Sequence, residues 1–104
     1  SNMEYKVIIT SKARSEIGGI LEYISVDLKN KSVARKLKNK IKEFIKSLKF
    51  MPKRFTKIDL TDKFQREYYR VLVDNYAILY NVDDENHIVY IVHIYYSKKN
   101  YLKM

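Results

Sequence analysis

A chain of 104 residues with no cysteine, only two histidines and a formal charge of +9 holds one modest core and has neither a disulfide framework nor a thiolate metal site. Two histidines also make a poor zinc centre, so metal-free chemistry without a cofactor is expected. Hydrophobic residues make up 46% of the chain and aromatics 13%, with ten tyrosines among them, enough apolar surface to oppose chain entropy and give a folded domain.

No apolar run approaches the ~20 residues that cross a bilayer, and the N-terminal stretch lacks the apolar segment of a signal peptide, which sets a cytoplasmic expectation with no membrane partner. Ser1-Asn2 ahead of Met3 reads as an expression-tag scar, leaving 3–104 as a single domain. Met3 to Thr10, with Tyr5, Val7, Ile8 and Ile9, suits a first strand. Thr10 or Ser11 then offers a capping oxygen, and Ala13, Ile17, Ile20, Leu21, Ile24 and Leu28 recur at threes and fours, the spacing of an amphipathic helix. Gly18-Gly19 interrupts it at about 1 kcal/mol per glycine; the pair either admits another backbone at close range or is simply tolerated.

After a turn at Asn30 to Ser32, with Ser32 as the expected cap, Ala34, Leu37, Ile41, Phe44, Ile45 and Leu48 share one face of a second helix. Arg35, Lys38, Lys42, Lys46 and Lys49 form a neighbouring basic stripe. From Lys29 to Lys57 twelve basic residues face the single acid Glu43, a field that attracts nucleic acid, ribosomal RNA or an acidic protein and does not choose among them. The alternative is an ordinary solvated helix face. Pro52 forbids further helix, Met51 to Lys57 becomes a basic connector, and Ile58 to Leu60 makes a short extended piece.

The last third alternates strongly. With Asp74-Asn75 as a two-residue hairpin turn, Val73 pairs with Tyr76 and Arg70 with Leu79. Tyr69, Val71, Val73, Tyr76, Ile78, Tyr80 and Val82 then share an apolar side, whereas Arg66, Tyr68, Arg70, Leu72, Ala77, Leu79 and Asn81 share a mixed side where function is expected. Asp83 to Asn86 turns the chain into a last strand, Ile88 to Tyr95. A register that buries no ionisable group places Tyr90, Val92 and Ile94 inward and His93 beside the arginines. The expected architecture is α+β: an N-terminal strand and an antiparallel two-helix hairpin packed on a twisted, mainly antiparallel sheet.

Tyr69-Arg70-Val71-Leu72-Val73 with Asp74-Asn75-Tyr76-Ala77-Ile78-Leu79-Tyr80, and His93-Ile94-Tyr95-Tyr96-Ser97-Lys98-Lys99-Asn100, resemble the RelE/ParE family of toxins from type II toxin–antitoxin (plasmid stabilisation) modules. The long helix hairpin leans toward the ParE branch. What the resemblance implies is a toxin neutralised by a cognate acidic antitoxin, with a homodimer also open. ParE-like members inhibit DNA gyrase; RelE-like members are ribosome-dependent messenger RNA endonucleases. A non-toxic nucleic-acid-binding domain on the same scaffold is a further alternative.

On the nuclease reading Arg70 would neutralise phosphate charge and His93 would act as acid or base near neutrality. Where ribonucleolytic relatives often carry charge, however, this chain has Ala77 and Tyr68. On either reading Arg66, Tyr68, Arg70, Tyr96, Lys98, Lys99 and Tyr101 are candidate contacts to target or antitoxin. Their plainer roles are sheet packing for the tyrosines, a neighbour's hydrogen bond for His93, and a solvated tail for Lys98 and Lys99. There is no phosphate-cradling glycine loop, thiol nucleophile or paired-carboxylate arrangement.

Overall fold

Strand β1 (Lys6–Ile9) runs into Thr10, whose extended backbone and side-chain oxygen, 3.2 Å from the Ala13 amide, start helix α1 (Ser11–Glu22). The computed structural model describes residues 4–97. Helix α1 passes into a π-helical turn, Tyr23–Asp27, in which the Leu28 amide donates to the Tyr23 carbonyl five residues back. That extra residue breaks the 100° progression of side chains. Ile24 stays buried, but Leu28, expected on the core face, is 55% exposed.

Lys29 turns the chain at φ 54, and Asn30 rather than Ser32 caps helix α2 (Lys31–Ser47), its Oδ1 accepting from the Val33 amide at 3.1 Å. Ser32 already lies inside the first turn, where its backbone is helical and cannot serve as the cap. Ala34, Leu37, Ile41 and Leu48 are buried, with Phe44 and Ile45 packed against them, as the periodicity requires.

The connector leads to a two-residue strand β2 (Lys57–Ile58), then β3 (Glu67–Val73), β4 (Tyr76–Asp83) and β5 (Ile88–Tyr96). The sheet order is β1-β5-β4-β3-β2, with β1 parallel to β5 and every other pair antiparallel. The Asp74-Asn75 hairpin has the expected register, Val73 opposite Tyr76 and Arg70 opposite Leu79, with Asp74 at φ 54. Tyr69, Ile78, Tyr80, Val82, Val89, Ile91 and Ile94 face the helices and form one core with them. At its centre the Tyr80 hydroxyl donates to the Pro52 carbonyl at 2.6 Å, and the Tyr80 ring stacks on Tyr69 at 5.3 Å.

The last strand departs from the expected facing. Tyr80 lies opposite Ile91 but Leu79 lies opposite His93, so Val92 is an extra residue without a partner, a β-bulge. Alternation resets there: Val89 and Ile91 point inward before the bulge and Ile94 after it. Of the three residues expected inward, only Ile94 is; Tyr90 and Val92 are only partly buried. The bulge lets the isoleucines on both sides of it reach the core while His93 stays out of it.

Candidate functional site

Helices cover one face of the sheet; on the other, Ala77 and Asn81 are buried and the remaining side chains of β3, β4 and β5 are partly exposed. In register across β3, β4 and β5 this open face carries a row of Arg70, Leu79 and His93, and a second row of Leu72, Ala77 and Tyr95. The Arg70 guanidinium reaches across the sheet: its Nε donates to the Tyr95 hydroxyl at 3.1 Å and its Nη2 to Ser97 Oγ at 2.8 Å. The Tyr95 ring in turn stacks on His93, with centroids 4.6 Å apart. Arg70 and His93 are therefore brought into one cluster, with Tyr95 between them.

Glu16 of α1 completes it. Its carboxylate accepts from the Ile94 amide at 2.9 Å and sits 2.7 Å from His93 Nδ1, at the rim of β5 beyond the point where β1 stops pairing. Burial pushes the Glu16 carboxyl up, but the Ile94 amide and His93 outweigh it and hold the group below its ordinary range. An ionised carboxylate only accepts, so the His93 Nδ1–H is the donor to Glu16.

The lower part of the open face is occupied by its own partners. Arg66 lies 3.6 Å from Asp83 and stacks on Phe64 at 4.7 Å and Tyr90 at 5.0 Å. The Tyr68 hydroxyl donates to Asp62 at 3.1 Å; burial and then that hydrogen bond raise its pKa. Ala77 is 0% exposed although it lies outside the core cluster, its methyl group enclosed in the row between Leu72 and Tyr95.

Tyr96 stands apart from the cluster, 52% exposed and edge-to-face with Tyr76 at 5.4 Å. Both line an apolar groove of about 690 Å³ between α1 and β5, with Ile20, Tyr23 and Leu28. Lys98, Lys99 and Tyr101 lie outside the described residues. Arg35, Lys38, Lys42 and Lys46 are exposed along α2 and Lys49 is exposed just past its end; among the described residues none of the five forms an ion pair. Because α2 packs on the opposite side of the sheet, the stripe and the Arg70 cluster are separate surfaces.

Glu16, Tyr95 and Ser97 were not among the residues expected from sequence. The alternation of β5 after the bulge places Tyr95 with His93, but the approach of Glu16 depends on how α1 docks, which its own spacing does not encode. Among the described residues no group of three or more His, Asp or Glu side chains is placed to hold a metal ion, and no helix is long and apolar enough to cross a membrane.

The same fold occurs in solved toxin–antitoxin structures. A chain of the chromosomal ParDE system from P. aeruginosa superposes with a TM-score of 0.72 at 17% identity, covering 94% of this chain and 100% of that one. A chain of the archaeal RelE–RelB complex from Pyrococcus horikoshii OT3 gives 0.68 at 17%, covering 93% and 99%. A chain of the RelBE2 complex from Mycobacterium tuberculosis gives 0.56 at 19%, covering 92% and 94%. No curated protein matches the sequence. The family model described as "ParE toxin of type II toxin-antitoxin system, parDE" matches residues 7–101. With nearly the whole domain accounted for by that match, the chain belongs to the ParE toxin family of type II toxin–antitoxin systems.

Proposed function

We propose that this toxin arrests growth by binding and inhibiting DNA gyrase, as the ParE branch does, and that an acidic antitoxin holds it inactive. The observation that carries the reading is the burial of Ala77. Where ribonucleolytic relatives often place an arginine, this chain has a methyl group enclosed by its neighbours, and Tyr68 at the second such position is tied to Asp62. Metal-free RNA cleavage needs several positive groups around the reacting phosphate. Among the described residues, β3, β4 and β5 supply the open face with one cation without a carboxylate partner, Arg70, because Arg66 is engaged by Asp83. A binding function has no such requirement. The antitoxin part rests on the exposed, unpaired α2 stripe and on structural relatives that are toxin–antitoxin complexes.

Supercoiling and DNA-cleavage assays with purified gyrase test this directly: inhibition or trapped cleavage is expected, and unaltered turnover with excess protein removes the reading. One arrangement favours a second reading, the ribosome-dependent endonuclease. His93 is oriented by Glu16 and stacks on Tyr95, whose hydroxyl Arg70 binds, a set able to move a proton and neutralise phosphate. New RNA ends formed only in the presence of ribosomes, in a cell-free translation reaction, would establish it in place of the first.

A further inference from the structure

The hydrogen-bond polarity around Arg70 defines a binding site. A guanidinium has five N–H groups and no acceptor; here Nε and Nη2 each engage one hydroxyl, Tyr95 and Ser97, which leaves three N–H groups. Each hydroxyl accepts from Arg70 and therefore turns its own hydrogen elsewhere, and among the described residues neither hydrogen has an acceptor. Among the described residues Arg70 likewise has no carboxylate partner, although it is partly buried. The cluster presents donors and one uncompensated positive charge, and nothing among the described residues answers either.

We infer that the Arg70–Tyr95–Ser97 cluster is a recognition site for a single carboxylate, that of an acidic side chain on a protein partner. The planar fork of Arg70 matches a carboxylate in two-point contact. Its flanks on the open face are Leu79, directly opposite, and Leu72, two residues along, both partly exposed, so the site seats an acidic residue with apolar neighbours. A nucleic-acid backbone fits less well. It brings a row of charges, whereas among the described residues β3, β4 and β5 offer one free cation on this face, with Lys6 three strands away on β1, Arg66 consumed by Asp83, and the ionised Glu16 at the β5 rim. The inference rests on the binding reading of the open face given above and names the chemistry of the partner there.

The test follows the Arg70 Nε–H resonance of the full-length protein by nuclear magnetic resonance. The probes are a blocked pentapeptide with one glutamate between two leucines, its glutamine counterpart, and a uridine pentanucleotide. The glutamate peptide should shift the Arg70 signal in a saturable way and bind at least about tenfold more tightly than the glutamine peptide, the usual advantage of a charge-assisted hydrogen bond. Tyr95→Phe and Ser97→Ala each remove one donor without removing packing and should each weaken the glutamate peptide several-fold; Arg70→Gln should abolish its effect. Equal binding of the two peptides, an Arg70 signal that does not respond, or tighter binding of the pentanucleotide overturns the assignment. Gyrase assays on the wild-type protein separate this outcome from the fate of the gyrase reading, since inhibition can persist when Arg70 binds no carboxylate.

Discussion

Glu16→Ala tests whether α1 is latched to β5 by its carboxylate. The side chain is 24% exposed and accepts from the Ile94 amide at 2.9 Å, where Ile94 is 1% exposed and β1 no longer pairs with the strand. Truncation leaves that amide and the His93 Nδ1–H without their acceptor. A hydrogen bond to a charged group contributes about 1.5–3 kcal/mol, and the partly exposed His93 pair at most about 1, so a loss of about 2 kcal/mol is expected. In a domain of this size that is a fall in Tm of about 10 °C. Glu16→Gln keeps an oxygen for the Ile94 amide and should lose about half as much.

The same latch gives a pH dependence of defined sign. The folded-state pKa of Glu16 is lowered below its ordinary value of 4.5, so its contribution is present above that value and disappears as pH falls through the lower folded-state pKa. Urea unfolding followed by circular dichroism at pH 7 and pH 3, with hydrogen exchange at the Ile94 amide, measures both effects. The reasoning is refuted if Glu16→Ala matches wild type at pH 7, or if the difference between them is undiminished at pH 3.

Four further outcomes are expected. Tyr80→Phe removes the donor to the buried Pro52 carbonyl and should cost about 1–3 kcal/mol in urea unfolding. Burial and a hydrogen bond to Glu67 push Tyr69 up to about 12. The shift favours the neutral phenol in the folded state, so its contribution is whole below the ordinary value of 10 and is lost above it; Tyr69→Phe should flatten the decline in stability between pH 10 and 12. A Cβ at Gly18 or Gly19 meets nothing within 4 Å, so Gly18→Ala and Gly19→Ala should each raise stability by about 0.5–1 kcal/mol, read as a higher denaturation midpoint. Ala77→Arg, which restores an arginine at the position after the turn tyrosine, should destabilise by several kcal/mol and yield no ribonuclease, because that site is enclosed. A stable variant with new RNA cleavage in a translation reaction would contradict the account of that position.

Much of this molecule is legible in one dimension because its physical cause is local. The 3.6-residue spacing of Ala34, Leu37, Ile41 and Leu48 selects the buried face of α2, and Asp74-Asn75 sets a hairpin register that carries Arg70 to its place opposite Leu79. The sequence by itself determined the helix hairpin, the meander, the two sides of β3 and β4, and a family resemblance that the family match bears out. Only the tertiary structure decided the rest. The bulge at Val92 arises because Ile91 and Ile94 both gain from the core, a competition settled between strands and invisible to a strict period of two. The π-helical turn that exposes Leu28 defeats a 100° projection in the same way. Glu16 meets His93, and Arg70 meets Ser97, across separations of 77 and 27 residues. Such meetings depend on how whole elements pack, and no local preference of either residue records them.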